Sequence, residues 1–368
     1  MGDRLRVATR KGLFTVEKHD GNWHVAHADF LGDNVSLTLT DPRDGACYAA
    51  LDHGHFGVKL HRSNDASNWE EIATPAYPEK PEGHEEFDMW GRPLPWSTVR
   101  IWALEPGGPD EPGVLWCGTL PGGLFKSNDH GKSWEIVSSL WNHPLRQKWM
   151  GGGADLPGLH SICVDPRNSK HVTIAVSTGG LWHTTDGGAS WEQRGHGMRA
   201  EYAPPEQTHD PIGQDVHRLV QCAADPERMW VQHHNGIFVS SDAGRNFTEI
   251  SDAAQPSAFG FAVVVHPRDP DTAWFVPEIK DEKRIPVAGR LCASVTRDGG
   301  KTFEVLSEGL PQEHAYDVVY RHALALDTSG ERLAFGSTTG GLWVSENQGG
   351  NWTCVTQTLP PIYAVAFV

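Results

Sequence analysis

Two histidines are candidates for proton transfer. His160 lies in the stretch WMGGGADLPGLHSI and His217 in the stretch QDVHRLV, each near the start of a predicted β-run. Imidazole titrates near neutral pH, so both side chains could act as a general acid or base. Asp155, Glu206 and Asp317 are carboxylates that could orient these imidazoles or supply a second acid or base. These residue types indicate hydrolysis or elimination by acid–base catalysis.

A second group of side chains has the chemistry to hold a small polar ligand. Arg100 could clamp an anionic group through two parallel hydrogen bonds. Trp96 and Trp149 could stack on the face of a sugar ring. The remaining candidates for ligand binding are Tyr202, His233, His234, Asn235, Arg321 and His322.

We expect the central members of both groups to share one pocket, because the predicted loops around them are neighbours. Glycines 151–153 would let a loop or a ligand approach closely. The alternative is a set of separate polar networks that brace long loops. The residues expected to converge are His160, His217, His234, Arg100, Asp155 and Glu206.

A repeated turn sets the framework that must position these residues. TTDGGASW begins at residue 184, and related stretches begin at 127, 240, 296 and 345, between 49 and 57 residues apart. Each copy sits in a unit of four short β-runs separated by turn residues. A period of this length with four strands per unit predicts a β-propeller blade.

The two ends of the chain complete the count of blades. Residues 361–368 read as a lone inner strand, and residues 4–26 supply three more strands. Joining them predicts an all-β, seven-bladed propeller in one domain, 1–368, closed by the C-terminal strand. Seven aromatic residues mark the ends of the seven repeats: Trp23, Trp69, Trp134, Trp191, Phe247, Phe303 and Trp352.

The turn pattern S/T-x-D-x-G-x-S/T-W/F resembles the Asp-box, or BNR, repeat of sialidase-like propellers. The resemblance extends over nearly the whole chain and implies a glycosyl hydrolase-type propeller, although sorting receptors and photosystem assembly factors carry the repeat without catalysis. Arg284–Pro286 reads RIP, as in a sialidase arginine motif, but it lies in the sixth blade and follows Lys283. Sialidases are also six-bladed, so a true sialidase is not favoured.

The repeated acids themselves are expected to hold turns. Asp186 can accept hydrogen bonds from backbone N–H groups of its own turn, and Gly188 can adopt a positive φ angle. Function is expected instead on the long connections between blades, 73–96, 138–158 and 195–215, because long loops on a rigid scaffold commonly carry binding sites.

Composition restricts the partners. The formal net charge is −16, which disfavours nucleic acid and anionic membranes. The six cysteines are scattered, and the N-terminal residues have no signal-peptide pattern, so we expect reduced thiols and a cytoplasmic protein. The sequence leaves the oligomeric state open.

These observations favour a propeller that binds a sugar or an anionic metabolite, as a glycoside hydrolase-like or lyase-like enzyme. One alternative is a non-catalytic scaffold for a protein partner. The other is a metal-dependent propeller lyase, since loop-face histidines could hold a divalent ion, but the histidine pairs His53/His55 and His233/His234 have no diagnostic ligand spacing, so the metal ligands are unknown. No other cofactor is predicted.

Overall fold

The computed structural model describes residues 2–88, 90–152 and 154–368, so Gly153 of the glycine run lies outside it. Its strands form seven four-stranded antiparallel sheets, and the fold is the predicted seven-bladed β-propeller. In chain order the strands are β1 (Arg4–Thr9), β2 (Gly12–His19), β3 (Asn22–Asp29), β4 (Val35–Thr40), β5 (Cys47–Asp52), β6 (Val58–Ser63), β7 (Glu70–Ile72), β8 (Arg100–Pro106), β9 (Leu115–Leu120), β10 (Leu124–Ser127), β11 (Glu135–Ile136), β12 (Gly158–Val164), β13 (Val172–Ser177), β14 (Gly180–Thr184), β15 (Glu192–Arg194), β16 (Val216–Gln221), β17 (Met229–His233), β18 (Gly236–Ser240), β19 (Thr248–Glu249), β20 (Phe259–Val265), β21 (Ala273–Glu278), β22 (Ala293–Thr296), β23 (Glu304–Leu306), β24 (Leu324–Leu326), β25 (Leu333–Gly336), β26 (Leu342–Ser345), β27 (Thr353–Thr356) and β28 (Ile362–Phe367).

Each blade is an antiparallel meander in chain order, β4 to β7 making one and β8 to β11 the next. The exception is the N-terminal blade, whose order is β28, β1, β2, β3. There β1 pairs with β28 in a register that sets Leu5 opposite Phe367 and Val7 opposite Val365. The predicted closure by the C-terminal strand is confirmed.

The chain packs as two compact units. The first unit comprises Met1–Thr38, Val220–Ser241 and Thr248–Val368, and the second comprises Leu39–Leu219 and Asp242–Phe247. In the first, Phe335 packs against Trp352 at 4.7 Å between ring centres. In the second, Trp182 is fully buried beside Trp149. The single domain over 1–368 stays a prediction.

The repeated turns are held by their acids, as the sequence predicts. Asp186 accepts hydrogen bonds from the Thr184 hydroxyl at 2.7 Å and from the backbone N–H and hydroxyl of Ser190 at 2.9 and 2.6 Å. The Thr184 hydroxyl in turn accepts the N–H of Gly188, whose φ is 96°. The bonds from Ser190 and Thr184 lower the pKa of Asp186 to about 2. These hydrogen bonds account for a structural role of Asp186 in its turn.

Short helices lie in the connections. The one α-helix of the described residues is α1 (Ser138–Trp141), and no helix in them is long and apolar enough to cross a bilayer. All six cysteines are free thiols. The 3-10 helices span Gly54–Phe56, Pro144–Lys148, Pro211–Gly213, Ser251–Ala253 and Val287–Gly289.

The seventh blade begins later than the sequence predicts. The strand expected from residue 317 starts at Leu324, as β24. The preceding segment is fixed by other bonds, because Asp317 accepts the hydroxyls of Ser337 and Thr339 and the Val318 carbonyl accepts the N–H of Thr338. Side-chain and turn contacts here replace the strand ladder.

Candidate functional site

A pocket of about 460 Å³ opens in the second unit, between the loop that follows β7 and the helical segment that follows β11. Both segments belong to the long connections on which function was expected. The residues that carry its chemistry are Glu79, His84, Glu86, Trp96, Trp141, Asn142, His143, Arg146 and Gln147.

Aromatic rings form one side of this pocket. Trp96 and Trp141 meet edge to face, with ring centres 5.5 Å apart, and His84 meets Trp96 in the same way at 5.3 Å. The Trp96 indole N–H donates to the carbonyl of Pro78 at 2.7 Å, which fixes the orientation of the ring. Tyr77 supports Trp141 from 5.0 Å. The pocket therefore presents oriented, partly exposed rings, which suit contact with an apolar sugar face.

An ion pair holds the other side. Arg146 donates two hydrogen bonds to Glu86, at 2.5 and 3.2 Å, and a third to the carbonyl of Trp141 at 2.6 Å. His84 lies 3.1 Å from the same carboxylate. Partial burial disfavours the Glu86 anion, but the hydrogen bonds and charge of Arg146 outweigh it, so the pKa of Glu86 is lowered. Glu86 is thus a carboxylate, not a proton donor, at neutral pH.

Of the predicted site residues, the pocket contains Trp96. Sequence reasoning missed Trp141, Arg146 and Glu86, which lie in the stretches SLWNHPLRQKW and PEGHEEF. Both stretches are dense in aromatic and charged residues. That density could have identified these three side chains, but the sequence analysis selected only the long connections that contain them.

His160 lies on β12 and is fully buried. Its Nε2 lies 2.7 Å from the carbonyl of Val216, so Nε2 carries the proton and donates it there. The Ser161 hydroxyl, which accepts the Leu219 N–H, lies 2.9 Å from the other ring nitrogen and donates to it. These bonds make His160 a brace between β12 and β16, and its catalytic role stays a prediction.

His217 belongs to a second buried polar group of the second unit. Its Nε2 lies 3.8 Å from Oδ2 of Asp215, and Ser177 donates to Oδ1 of Asp215 at 2.5 Å. A Cβ added to Gly152 would stand 2.6 Å from the Ser177 hydroxyl and 2.9 Å from Asp215, so this glycine backbone covers the pair. Asp215 lies two residues before His217 in the stretch QDVHRLV and was not among the predicted site residues.

The other candidates of the second unit make separate contacts, except that Tyr202 also interacts with Asp215. Trp149 is buried against Trp182, and Tyr202 donates to the carbonyl of Gly213 at 2.8 Å. Arg100 pairs with Asp52 at 3.3 Å, and Glu206 is exposed on its loop. Asp155 is also largely exposed, 3.6 Å from Arg92.

Six predicted residues belong to the first unit. His233 is buried and accepts the N–H of Asn235, whereas His234 lies 3.8 Å from the Asp281 carboxylate. Arg321 stacks on the ring of Phe261. The backbone carbonyl of His322 accepts the Val365 N–H, and Asp317 holds the turn described above.

No protein-family model matches the sequence. A probable oligoxyloglucan-reducing end-specific xyloglucanase of Neosartorya fischeri is 27% identical over 270 residues, which cover 66% of this chain and 31% of the relative. The oligoxyloglucan-reducing end-specific xyloglucanase of Emericella nidulans is 26% identical and is covered to 33%. The chain therefore spans about a third of the length of the curated relatives it matches.

Solved structures give the same architecture. The GH74 xyloglucanase from Xanthomonas campestris superposes with a TM-score of 0.64 at 19% identity, over 100% of this chain and 52% of that one. YCF48 from Cyanidioschyzon merolae superposes with a TM-score of 0.53 at 12% identity, over 94% and 96% of the two chains. Similarity at this level shows the propeller fold, and the Asp-box family resemblance stays a prediction.

Proposed function

We propose that this protein binds a neutral oligosaccharide in the pocket between Trp96 and Trp141, as a propeller of the glycoside hydrolase type. The observation that carries the proposal is the pair of oriented tryptophan rings facing a polar wall in a 460 Å³ cavity. Two xyloglucanases among the curated relatives support a carbohydrate as the ligand.

The pocket supplies both parts of sugar recognition. The aromatic edge and face would bury the apolar C–H surface of a pyranose ring. Glu79, Asn142 and Gln147 carry acceptors and donors suited to hydroxyl groups. Arg146 and Glu86 neutralise each other and Glu79 adds an acidic side chain, so the pocket favours a neutral sugar over an anionic one.

Glycoside hydrolysis commonly uses two carboxyl groups, one protonated and one ionised. In this pocket Glu86 fits the ionised role, because Arg146 holds it as an anion, and Glu79 is the second carboxyl in the lining. We also retain His160, His217, Asp155, Glu206 and Asp317 as proposed acid–base groups.

The remaining sequence predictions stay predictions: a bound divalent metal, a cytoplasmic location, and no nucleic-acid or membrane partner.

Calorimetric titration with xyloglucan oligosaccharides tests the proposal. Trp96→Ala should weaken binding about tenfold or more, which corresponds to about 1.4 kcal/mol. The matched control is Trp90→Ala, because Trp90 lies in the same loop, is 68% exposed and does not line the pocket. Release of reducing ends from the same oligosaccharides then tests hydrolysis.

Absence of binding by the wild-type protein would contradict the proposal, and so would an equal loss in both tryptophan variants. The non-catalytic scaffold for a protein partner would then become the favoured function.

A further inference from the structure

A carboxylate, an imidazole and a hydroxyl meet inside the second unit, where β13 ends and β16 begins. Asp215 precedes β16 and is 4% exposed, and His217 lies on β16 and is 3% exposed. Residues two apart in an extended chain face the same side, which brings these two side chains together. The Ser177 hydroxyl donates to Oδ1 of Asp215, so the imidazole stands opposite the other carboxylate oxygen, Oδ2.

The separation of the imidazole and the carboxylate fits a shared metal ion. Nε2 of His217 lies 3.8 Å from Oδ2 of Asp215, which is longer than a hydrogen bond. Nitrogen and oxygen ligands lie about 2.0–2.2 Å from an ion such as Zn²⁺, so two ligands of one ion stand at most about 4.3 Å apart. The observed distance lies within this limit.

Gly152 keeps open a space beside the carboxylate that any other residue would fill. A Cβ at this position would lie 2.9 and 3.0 Å from the two carboxylate oxygens of Asp215. The backbone of this loop is fixed, because Met150 and Thr178 exchange hydrogen bonds between their N–H and carbonyl groups at 2.9 and 2.8 Å. The open space at a buried carboxylate is therefore built into the fold.

We propose that Asp215 and His217 hold a divalent transition-metal ion such as Zn²⁺. One imidazole and one carboxylate form a donor set that suits Zn²⁺ better than Mg²⁺, which prefers oxygen ligands alone. The hydrogen bond from Ser177 supports the proposal, since ligating carboxylates are themselves usually hydrogen-bonded. A bound ion would also compensate the charge of a buried carboxylate. It would make His217 a ligand and remove it from the proposed acid–base groups.

Equilibrium dialysis of the metal-free protein against Zn²⁺ at pH 7, followed by elemental analysis, tests this site. The wild-type protein should retain one tight equivalent of Zn²⁺ in the presence of excess Mg²⁺. Asp215→Asn and His217→Gln should each weaken this binding tenfold or more, because each removes one ligand. Ser177→Ala should weaken it about tenfold, because the carboxylate loses the hydrogen bond that orients it.

Thermal unfolding with and without Zn²⁺ gives a second readout and shows which variants are folded. An ion that binds only the folded state raises the melting temperature. The wild-type protein should therefore melt at a higher temperature with Zn²⁺, and folded His217→Gln should show a smaller rise. Ser177→Ala keeps both proposed ligands, so it tests the site even where the loss of a ligand prevents folding.

The matched control is His27→Gln. His27 and Asp29 are also two residues apart, but His27 is 57% exposed and its Nε2 lies within hydrogen-bonding distance of Asp29, at 3.1 Å. This variant should retain the tight equivalent of Zn²⁺. None of the proposed metal-site residues lines the tryptophan pocket, and Zn²⁺ binding is measured without sugar, so failure of this site is distinct from failure of the oligosaccharide pocket.

Three results would overturn the proposal. The first is a wild-type protein that retains no tight equivalent of Zn²⁺. The second is unchanged Zn²⁺ affinity in the folded variants of Asp215, His217 and Ser177. The third is an equal loss of affinity in His27→Gln, which would assign the binding to exposed histidines.

Discussion

The guanidinium of Arg146 lies over the ring of Trp141, with 3.9 Å from its central carbon to the ring centre, while two of its nitrogens bind Glu86. One side chain therefore joins the aromatic and the acidic sides of the oligosaccharide pocket. The tryptophan ring keeps its orientation because the ion pair holds the cation above it.

Arg146→Gln should reduce oligosaccharide affinity about tenfold, since Trp141 would lose the group that orients it. Calorimetric titration measures the change. Arg167→Gln is the control, because Arg167 pairs with Asp165 in the same unit, away from the pocket. Unchanged affinity in Arg146→Gln would show that Trp141 is oriented by its other neighbours.

Asp186→Ala should lower the melting temperature by a few degrees and leave oligosaccharide binding unchanged in the folded protein. Asp186 is the acceptor for three donors of its own turn. Glu70→Ala, at an exposed position on β7, should not change the melting temperature. Loss of binding at an unchanged melting temperature would assign Asp186 to the site after all.

The pKa of Asp186 is lower in the folded protein than its ordinary value near 4, so ionised Asp186 stabilises the folded state above about pH 4. This contribution is lost as the pH falls toward 2.

Ile362→Ala should destabilise the protein by about 2–5 kcal/mol, the usual cost of truncating a buried aliphatic side chain. Ile362 is fully buried in the core of the first unit. Val368 lies beyond the end of β28, so Val368→Ala should leave the free energy of unfolding nearly unchanged. Denaturant unfolding measures both. Deletion of 361–368 should be worse than either substitution, because it exposes the edge of β1 to aggregation.

Stability should fall as the pH rises from about 4.5 to about 8, because of Glu278. In this window the unfolded chain has released the Glu278 proton and the folded chain retains it, so the loss approaches 1.4 kcal/mol per pH unit. Glu278→Gln should remove this part of the slope, and it should be more stable than the wild type above pH 8. Glu304→Gln, at an exposed strand position, should keep the wild-type slope. Parallel slopes in all three proteins would show that Glu278 ionises normally.

The fold could be predicted because its signal repeats. The turn around Asp186 recurs along the chain with a hydroxyl, an acid and a glycine in fixed order, the acid being replaced by Asn347 in the copy at 345, and each copy locates two strands. The unpaired β-runs at 4–26 and 361–368 completed the count. The strand expected at 317 failed because a hydrophobic run does not reveal that Asp317 is held by Ser337 and Thr339.

The candidate site was harder to predict because loops have no period. Trp96 was identified as an aromatic residue ahead of β8, but Trp141 contacts it from a connection that begins about 40 residues later, and Arg146 contacts Trp141 from the same connection. Likewise, the position of His160 on a strand does not reveal that its ring bonds to Ser161 and Val216. Partners that are distant along the chain decide whether a polar side chain is available to a ligand.

The pairing of β1 with β28 has a consequence for the time course of folding. β1 is hydrogen-bonded to β28, so this blade cannot be completed until translation has passed residue 362. Until then β1 to β3 form a three-stranded sheet with one open edge. Contacts of such long sequence separation slow folding. The nascent strands β1 to β3 must therefore wait for their partner, exposed to other chains, longer than the strands of the other six blades.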